Sequence, residues 1–268
     1  MTAAYVHGYT EREGKRLCDQ ARTLEELLHD TVRFPDGATV LEAGCGVGAQ
    51  TVALARNNPR ARITAVDINE ASVAAARQAC GTAGLSNITF RAANLLEEPF
   101  PDATFDHVFV CFVLEHLPDP VAVLKSLWRV LKPGGTITVI EGDHGSTFFH
   151  PHGEMAMRAI QCQVELQARA GGDACIGRRL YPLLEKAGFA RVTVEPRPVY
   201  ADAERPEWVE GFTKNTFTAM IEGVREEAVR AGLITGAEFD AGLAELRRAA
   251  EADGTFFYTF FRAMAVRT

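Results

Sequence analysis

The feature that most constrains the fold is a glycine-rich segment between two short apolar runs near the start of the chain. Residues 40–41 are apolar and end at Glu42, and glycines follow at alternate positions before a helical pattern begins. A second apolar run, 63–66, ends at Asp67. Glycines let the backbone turn sharply and approach a ligand closely, and an acid after the next strand can accept both hydroxyl hydrogens of a ribose. The segment predicts a strand, loop, helix and strand that form a nucleotide pocket.

The glycine pattern alone does not decide which nucleotide binds. Gly44, Gly46 and Ala49 also satisfy the G-x-G-x-x-G/A pattern of dinucleotide sites, with Asp67 as the acidic partner. An NAD-dependent dehydrogenase is therefore one interpretation of this segment, and residues further along the chain are needed to choose.

The composition is that of an ordinary globular protein. At 268 residues, with 47% apolar and 24% charged side chains, the chain is long enough for one large domain with an insertion. No apolar run approaches the length of a membrane span, and the first residues lack the basic and apolar regions of a signal peptide. We expect a cytoplasmic protein with no membrane partner, either a monomer or a homodimer.

Charge and cysteine usage limit the partners. A net charge of −7 without a long basic run argues against nucleic acid, because phosphate contacts need clustered Lys and Arg. The six cysteines are scattered with no C-x-x-C pair, and the histidines at 144, 150 and 152 fit no standard zinc spacing, so we expect no metal site. The expected partner is a small molecule.

Strands alternate with helices through the first half of the chain. The patterns predict a helix over 10–32 and further strands over 88–93, 105–112 and 136–140. Such alternation implies a parallel sheet with ligands outside the carboxyl ends of its strands. The residues predicted to meet at that edge are Glu42, Asp67, Asn94, 111–112 and 141–144.

Several segments of this half form a recognisable set. They are residues 42–48, Asp67, 94–100, the pair Phe105-Asp106, the Leu-Glu-His-Leu sequence at 114–117 and the Leu-Lys-Pro-Gly-Gly sequence at 131–135. Together they resemble the class I S-adenosylmethionine (SAM)-dependent methyltransferases, nearest to the branch that includes ubiquinone/menaquinone-type and many small-molecule enzymes. The resemblance covers residues 36–145. A dehydrogenase is not expected to contain the later segments in this order, so these segments argue against the NAD-dependent dehydrogenase interpretation.

The resemblance implies roles for the glycine loop and the acid that follows it. Glu42 and the loop residues Gly44, Cys45 and Gly46 would lie against the methionine portion of SAM. Asp67 would hold the ribose hydroxyls.

It also implies contacts for the adenine ring and the methyl group. Ile68 would pack on the adenine and Leu95 would lie beside it. Asn94 stands where most relatives have Asp, and it can receive the adenine amino group through its amide oxygen. Cys111 and Phe112 would lie beside the transferable methyl.

Two further regions complete the implied cofactor site. His116 belongs to the family motif at the edge of strand four. In the N-terminal helix, Tyr9 and Gln20 lie off the apolar stripe, and we expect them to close over the cofactor.

The back half of the chain departs from the minimal family fold. The family closes its sheet with a sixth strand, predicted here over 192–196, and a seventh over 256–261 that lies antiparallel beside it. Two helical stretches, 146–176 and 199–254, leave the sheet near the predicted methyl position.

We therefore predict an α/β, Rossmann-like, seven-stranded and mostly parallel sheet with its last strand antiparallel and an inserted helical lid. Residues 1–35 form an N-terminal helix over the cofactor. Residues 36–198 and 255–268 form the SAM-binding core with the 146–176 insertion, and residues 199–254 form a lid or substrate cap. Padding of a dimer interface is the alternative role for these helices.

The lid suits the chemistry that the resemblance implies. Methyl transfer is an in-line displacement, so the protein's main task is to hold nucleophile and methyl aligned about 3 Å apart. His144, just past strand five, is the predicted general base, with Asp143 and His116 as rivals. The aromatic residues predicted to line an acceptor pocket are Phe148, Phe149, Tyr200, Phe217 and Tyr258.

The sequence thus predicts a methyltransferase that moves the methyl of SAM to an O, N or C atom of a small molecule and releases S-adenosylhomocysteine (SAH). A SAM-binding sensor or complex subunit without turnover is the second interpretation. A dehydrogenase is the third.

Overall fold

A computed structural model describes residues 11–97 and 100–268. The strands are β1 (Thr39–Ala43), β2 (Arg62–Asp67), β3 (Ile88–Ala92), β4 (Phe105–Cys111), β5 (Leu131–His150), β6 (Ala190–Ala201) and β7 (Thr255–Val266). They form one sheet in the order β3-β2-β1-β4-β5-β7-β6. The first five pair in parallel, and β7 is antiparallel to both β5 and β6. The predicted fold class is confirmed.

Helices cover both faces of the sheet. They are α1 (Glu11–His29), α2 (Ala49–Asn57), α3 (Glu70–Thr82), α4 (Pro120–Val130), α5 (Glu154–Arg169), α6 (Leu180–Lys186), α7 (Pro206–Trp208), a π-helix (Val209–Thr218), α8 (Ala219–Gly223), α9 (Arg225–Arg230) and α10 (Gly236–Arg248). One large apolar cluster joins α1, α2, α5 and the helices after residue 206 to one sheet face. A second cluster joins α4 and α6 to the opposite face.

Local sequence signals account for where several helices begin. Asn69 accepts the backbone N–H of Ser72 and caps α3, as its position after β2 predicted. Asp119 caps α4 in the same way, with Pro120 at the first helical position. Thr235 and Glu238 form the predicted capping box of α10.

Strand β5 is much longer than the sequence predicted. Its expected end was residue 140, with an insertion beginning at residue 146, but it continues to His150. The reason is its partner β7, which is also longer than expected and pairs Phe148 with Phe257 and His150 with Thr255. A register shift between Asp143 and Phe148 interrupts the pairing. The three strands β5, β7 and β6 therefore form a ribbon that rises beyond the carboxyl edge of β1, β2 and β4.

The helices predicted as a lid pack on this ribbon as one layer. Helix α5 packs along α10, and the π-helix packs along α1. A Cβ added at Gly242 would lie 2.5 Å from the carbonyl oxygen of Met155, so glycine allows α5 and α10 to approach closely. Strand β6 runs to Ala201, so this layer begins at Pro206 rather than at the predicted residue 199.

No helix within the described ranges has the length and apolar character needed to cross a membrane.

Candidate functional site

Asp67 ties the end of β2 to the glycine loop. Its Oδ2 atom accepts the backbone N–H of Gly46 at 2.9 Å, and its Oδ1 accepts the N–H of Asn69 at 2.9 Å. Each carboxylate oxygen has a second lone pair, so both can still accept a hydrogen bond from a ligand hydroxyl. The arrangement is what a ribose-binding carboxylate requires.

Two glycines of the loop serve different purposes. Gly44 has φ +80°, and a Cβ there would lie 2.5 Å from the side chain of Val113, so this position requires glycine. Gly46 has φ +50°, and no heavy atom of residues 11–97 or 100–268 lies within 4 Å of a Cβ position there. The backbone at Gly46 therefore borders open space that a ligand can fill.

Glu42 lies buried beside this loop. Its Oε2 atom has no hydrogen-bond partner among the described residues. Burial raises the pKa of Glu42 to about 7, and the nearby charge of Asp67 also raises it. A buried carboxyl with a free oxygen is suited to a cationic or hydrogen-donating ligand group, which is what the amino acid part of SAM offers.

The residues predicted around the adenine lie at the next two strand ends. Asn94 uses its Oδ1 to accept the N–H of Leu96, and its amide donates to Glu97. Leu95 is half-buried against the second apolar cluster, while Ile68 is exposed. Asn94 keeps one oxygen lone pair for a ligand, so the predicted contact with an amino group is geometrically open.

The end of β4 is held by a residue that the sequence placed at this edge without giving it a role in the site. Glu141, fully buried on β5, accepts the backbone N–H groups of Val113 at 3.0 Å and Leu114 at 2.7 Å. These residues follow Phe112, which has φ +57°. Burial raises the pKa of Glu141, and so does the charge of Glu115. Its position at the edge was predicted from the end of strand five, but its role was not, because its partners are backbone groups that carry no sequence signal.

Strand alternation separates the two predicted catalytic residues. Side chains at successive positions of a strand point to opposite faces. Asp143 forms a two-bond ion pair with Arg178, with contacts of 2.6 and 2.7 Å, and also accepts the N–H of Gly145. His144 instead lies with the layer that contains Phe217. Asp143 is thus occupied in holding the segment before α6.

His144 is buried and joined to Tyr258. Its Nδ1 atom lies 2.9 Å from the Tyr258 hydroxyl oxygen, and its Nε2 atom has no hydrogen-bond partner in the part of the chain that the structure describes. Burial lowers the pKa of His144, against the smaller raising effect of Glu115 and Asp143. The imidazole is therefore neutral near pH 7.

A series of ring contacts connects the end of β4 to His144. The ring of Phe112 lies 5.4 Å from Phe260, Phe260 lies 4.8 Å from Tyr258, and Tyr258 lies 5.7 Å from His144. Phe217 of the π-helix contacts both members of the last pair. The cofactor edge and His144 therefore share one side of the sheet.

The five residues predicted to line an acceptor pocket are not all brought together. Phe217, Tyr258 and Phe149 are buried on the side of the helical layer. Phe148 is 61% exposed and stacks on Phe257, and Tyr200 is 43% exposed. The pair at 148–149 was expected in a loop, but it lies in β5, where alternation directs Phe148 to the outer face with Tyr200. These two residues are corrected to surface positions.

Of the remaining predicted residues, two contact neighbouring side chains and one lies outside the described ranges. His116 Nε2 lies 3.5 Å from Glu115 Oε1, and Gln167 of α5 donates to the carbonyl of Glu115. Gln20 accepts a hydrogen bond from Arg16 within α1. Tyr9 lies outside the described residues.

These observations define the class of site. A glycine loop, a carboxylate that holds it, and the carboxyl edge of a parallel sheet form the arrangement of a Rossmann-like nucleotide-binding fold, and a buried cluster of aromatic side chains lies on the same side of the sheet. Residues 41–139 match the methyltransferase domain family. This segment is a methyltransferase domain, and the predicted resemblance to the class I SAM-dependent methyltransferases is confirmed.

Known proteins resemble the chain to different extents. It is 31% identical over 208 residues to an uncharacterized 37.1 kDa protein in transposon Tn4556 of Streptomyces fradiae, over 76% of this chain and 59% of that protein. It is 28% identical over 247 residues to the 27-O-demethylrifamycin SV methyltransferase of Amycolatopsis mediterranei, over 91% of this chain and 84% of that one. The crystal structure of the [4+2]-cyclase SpnF has a TM-score of 0.58 at 22% identity, over 92% of this chain and 80% of that one. The chain thus spans less than two thirds of the first of these relatives.

Proposed function

We propose that this chain transfers the methyl group of SAM to a small-molecule acceptor by in-line displacement and releases SAH. The observation that carries the proposal is the joint placement of the glycine loop, Asp67 and Glu42 on the side of the sheet that also holds His144. The relation to a rifamycin methyltransferase over most of both chains supports a small-molecule acceptor. The acceptor atom is O, N or C.

The described residues fit the cofactor. Asp67 would hold the ribose hydroxyls, Glu42 and the open side of Gly46 would receive the methionine part, and Asn94 would face the adenine. When bound, SAM would supply a methyl group on a positively charged sulfur. In the transfer the acceptor forms a bond to the methyl carbon, and the sulfur keeps both electrons of the carbon–sulfur bond that breaks.

The protein's own contribution is to orient the reactants and exclude water. Glu141 holds the backbone of 113–114 against Gly44, which fixes one wall of the cofactor site. The helical layer covers the ribbon on which His144 lies, so water is kept from the reacting atoms. Of the two residues predicted as catalytic, we propose that His144 contacts the acceptor and that Asp143 holds the backbone.

Calorimetry with SAH tests the cofactor assignment. The wild-type chain should bind SAH, and Asp67→Ala should weaken binding by tenfold or more, because hydrogen bonds to a charged group contribute about 1.5–3 kcal/mol each. Asp36→Ala is the matched control, since Asp36 is exposed and pairs with Arg60. Stabilisation by NADH and not by SAH would favour the dehydrogenase interpretation.

Turnover needs a separate assay, since a cyclase shares this fold. The chain is incubated with methyl-labelled SAM and a metabolite extract, and labelled products are sought. Binding of SAH without labelled product across a broad panel would favour the sensor interpretation.

A further inference from the structure

The positions of the protons in the His144–Tyr258 pair follow from the chemistry of the two groups. The His144 Nδ1 and Tyr258 oxygen atoms are 2.9 Å apart, and both residues are buried. A phenol, with an ordinary pKa near 10, is a better hydrogen-bond donor than a neutral imidazole N–H, and an imidazole nitrogen is a better acceptor than a phenol oxygen. The Tyr258 hydroxyl therefore donates to Nδ1.

This hydrogen bond determines which nitrogen of His144 carries the proton. A neutral imidazole has one N–H, and when Nδ1 accepts a hydrogen bond the proton lies on Nε2. Burial lowers the pKa of His144 and raises the pKa of Tyr258, so both groups stay neutral. The result is an Nε2–H group that has no acceptor among the described residues, 11–97 and 100–268.

A buried donor without a partner is costly. Leaving one unsatisfied costs about 1–3 kcal/mol, and such groups in folded proteins call for an explanation. The hydroxyl fits in this position only because residue 142 is glycine, since a Cβ at Gly142 would lie 2.3 Å from the Tyr258 hydroxyl oxygen. The His144 ring is also packed near Phe217, 6.0 Å away, so it is not free to turn to another partner.

We propose that Tyr258 is a positioning residue that fixes His144 as a hydrogen-bond donor through Nε2, and that the methyl acceptor presents a carbonyl or anionic oxygen to this N–H. The inference rests on the proposed methyl transfer and names the class of acceptor: an apolar or aromatic molecule that carries such an oxygen. In this tautomer Nε2 has no free lone pair. His144 therefore does not remove a proton from the acceptor, in contrast to the general-base role predicted from sequence.

Nitrogen-15 NMR of the full chain tests the tautomer directly. Histidine is labelled with 15N, and the His144 signals are assigned by their loss in His144→Gln. Near pH 8 the wild type should show a protonated Nε2 and an unprotonated Nδ1. Tyr258→Phe should give a mixture of tautomers, while His29, which pairs with Gln50, should keep its signals and serves as the internal control. A protonated Nδ1 in the wild type, or an unchanged pattern in Tyr258→Phe, would overturn the role of Tyr258.

The acceptor class is tested on the same labelled protein saturated with SAH. Acetophenone and ethylbenzene have similar shapes, but only acetophenone has a carbonyl oxygen. Acetophenone should shift the Nε2 signal of His144, and ethylbenzene should shift it much less. Equal shifts, or none with acetophenone, would refute the assigned ligand class. SAH binding is measured beforehand. If SAH does not bind, both the methyl-transfer proposal and the acceptor class fail. The tautomer of His144 is tested independently of SAH binding.

Discussion

A buried carboxyl beside the glycine loop connects the cofactor site to the stability of the fold. Glu42 has a pKa of about 7 in the folded chain against an ordinary value of 4.5. The folded state therefore binds more protons than the unfolded state between these pH values. The contribution of Glu42 to stability is most favourable at and below pH 4.5 and becomes less favourable as pH rises from about 4.5 to about 7, by roughly 1.4 kcal/mol for each unit of pKa difference.

Replacing Glu42 with a neutral isostere should remove this dependence. In Glu42→Gln, the free energy of unfolding in urea should fall less between pH 5 and pH 7.5 than it does in the wild type. The exposed Glu226→Gln is the control and should follow the wild-type slope. If Glu42→Gln retained the full wild-type slope, Glu42 would not be the group responsible.

The close approach of the Tyr258 hydroxyl to Gly142 leads to a second prediction at the scale of a single residue. Gly142→Ala should destabilise the fold by about 1–3 kcal/mol, because its Cβ would overlap the Tyr258 oxygen. The double variant Gly142→Ala with Tyr258→Phe removes that oxygen and should regain much of the loss. Gly223→Ala, where a Cβ meets nothing within 4 Å, is the control and should change stability little. Additive effects in the double variant, measured by thermal unfolding, would contradict the proposed overlap.

At the level of elements, β5 serves both halves of the site. Its side chains reach the loop after β4 on one face and the helical layer on the other, through Glu141 and His144. The loop after β4 depends on Glu141 for two backbone hydrogen bonds. A change at Glu141 should therefore act on the cofactor site through Val113, which packs against Gly44.

This dependence can be measured as cofactor affinity. Glu141→Ala leaves two buried N–H groups unsatisfied and should weaken SAH binding by about tenfold, whereas Glu141→Gln keeps an acceptor oxygen and should weaken it less. Titration calorimetry with SAH measures both. Equal losses in the two variants would show that the hydrogen bonds from 113–114 are not what fixes this wall.

The elements also show which parts of the structure were predictable from sequence. The β1-α2-β2 unit was predictable because its signals are local: an apolar run, glycines, and a cap at Asn69. The length of β5 was not, because residues 145–150 become a strand only through pairing with β7, more than a hundred residues later. Phe148 and Phe149 were for this reason placed in a loop. The Tyr258 partner of His144 depends on the same distant pairing, and the hydrogen bonds of Glu141 depend on the contact of β5 with the loop after β4.

At the scale of the molecule, the inserted helices and the sheet share one core. The larger apolar cluster includes Leu54 of α2, Phe109 of β4, Ile160 of α5 and Phe217 of the π-helix. The segments that the sequence suggested as separate units, core and lid, are thus joined by continuous packing. The whole described part should unfold as one cooperative unit.

The two tryptophans allow this to be tested. Trp128 lies on α4, where Arg267 stacks over its ring, and Trp208 lies at the start of the helical layer. In Trp208→Phe the remaining fluorescence reports on the sheet, and in Trp128→Phe it reports on the layer. Circular dichroism gives the urea midpoint for the loss of secondary structure in each variant. In each variant the fluorescence midpoint should coincide with that midpoint. A layer signal that changes at lower urea would mean that the cap opens on its own.

The number of β5 residues between Glu141 and His144 fixes the distance between these two side chains and the faces of the sheet to which they point. Three steps of extended chain cover about 10 Å, and each step reverses the face to which a side chain points. If one residue were inserted between them, either the Glu141 side chain would point away from the loop after β4 or the His144 side chain would point away from the helical layer. Descendants of this chain that change their acceptor would accordingly have to alter the helices around the imidazole while keeping this spacing.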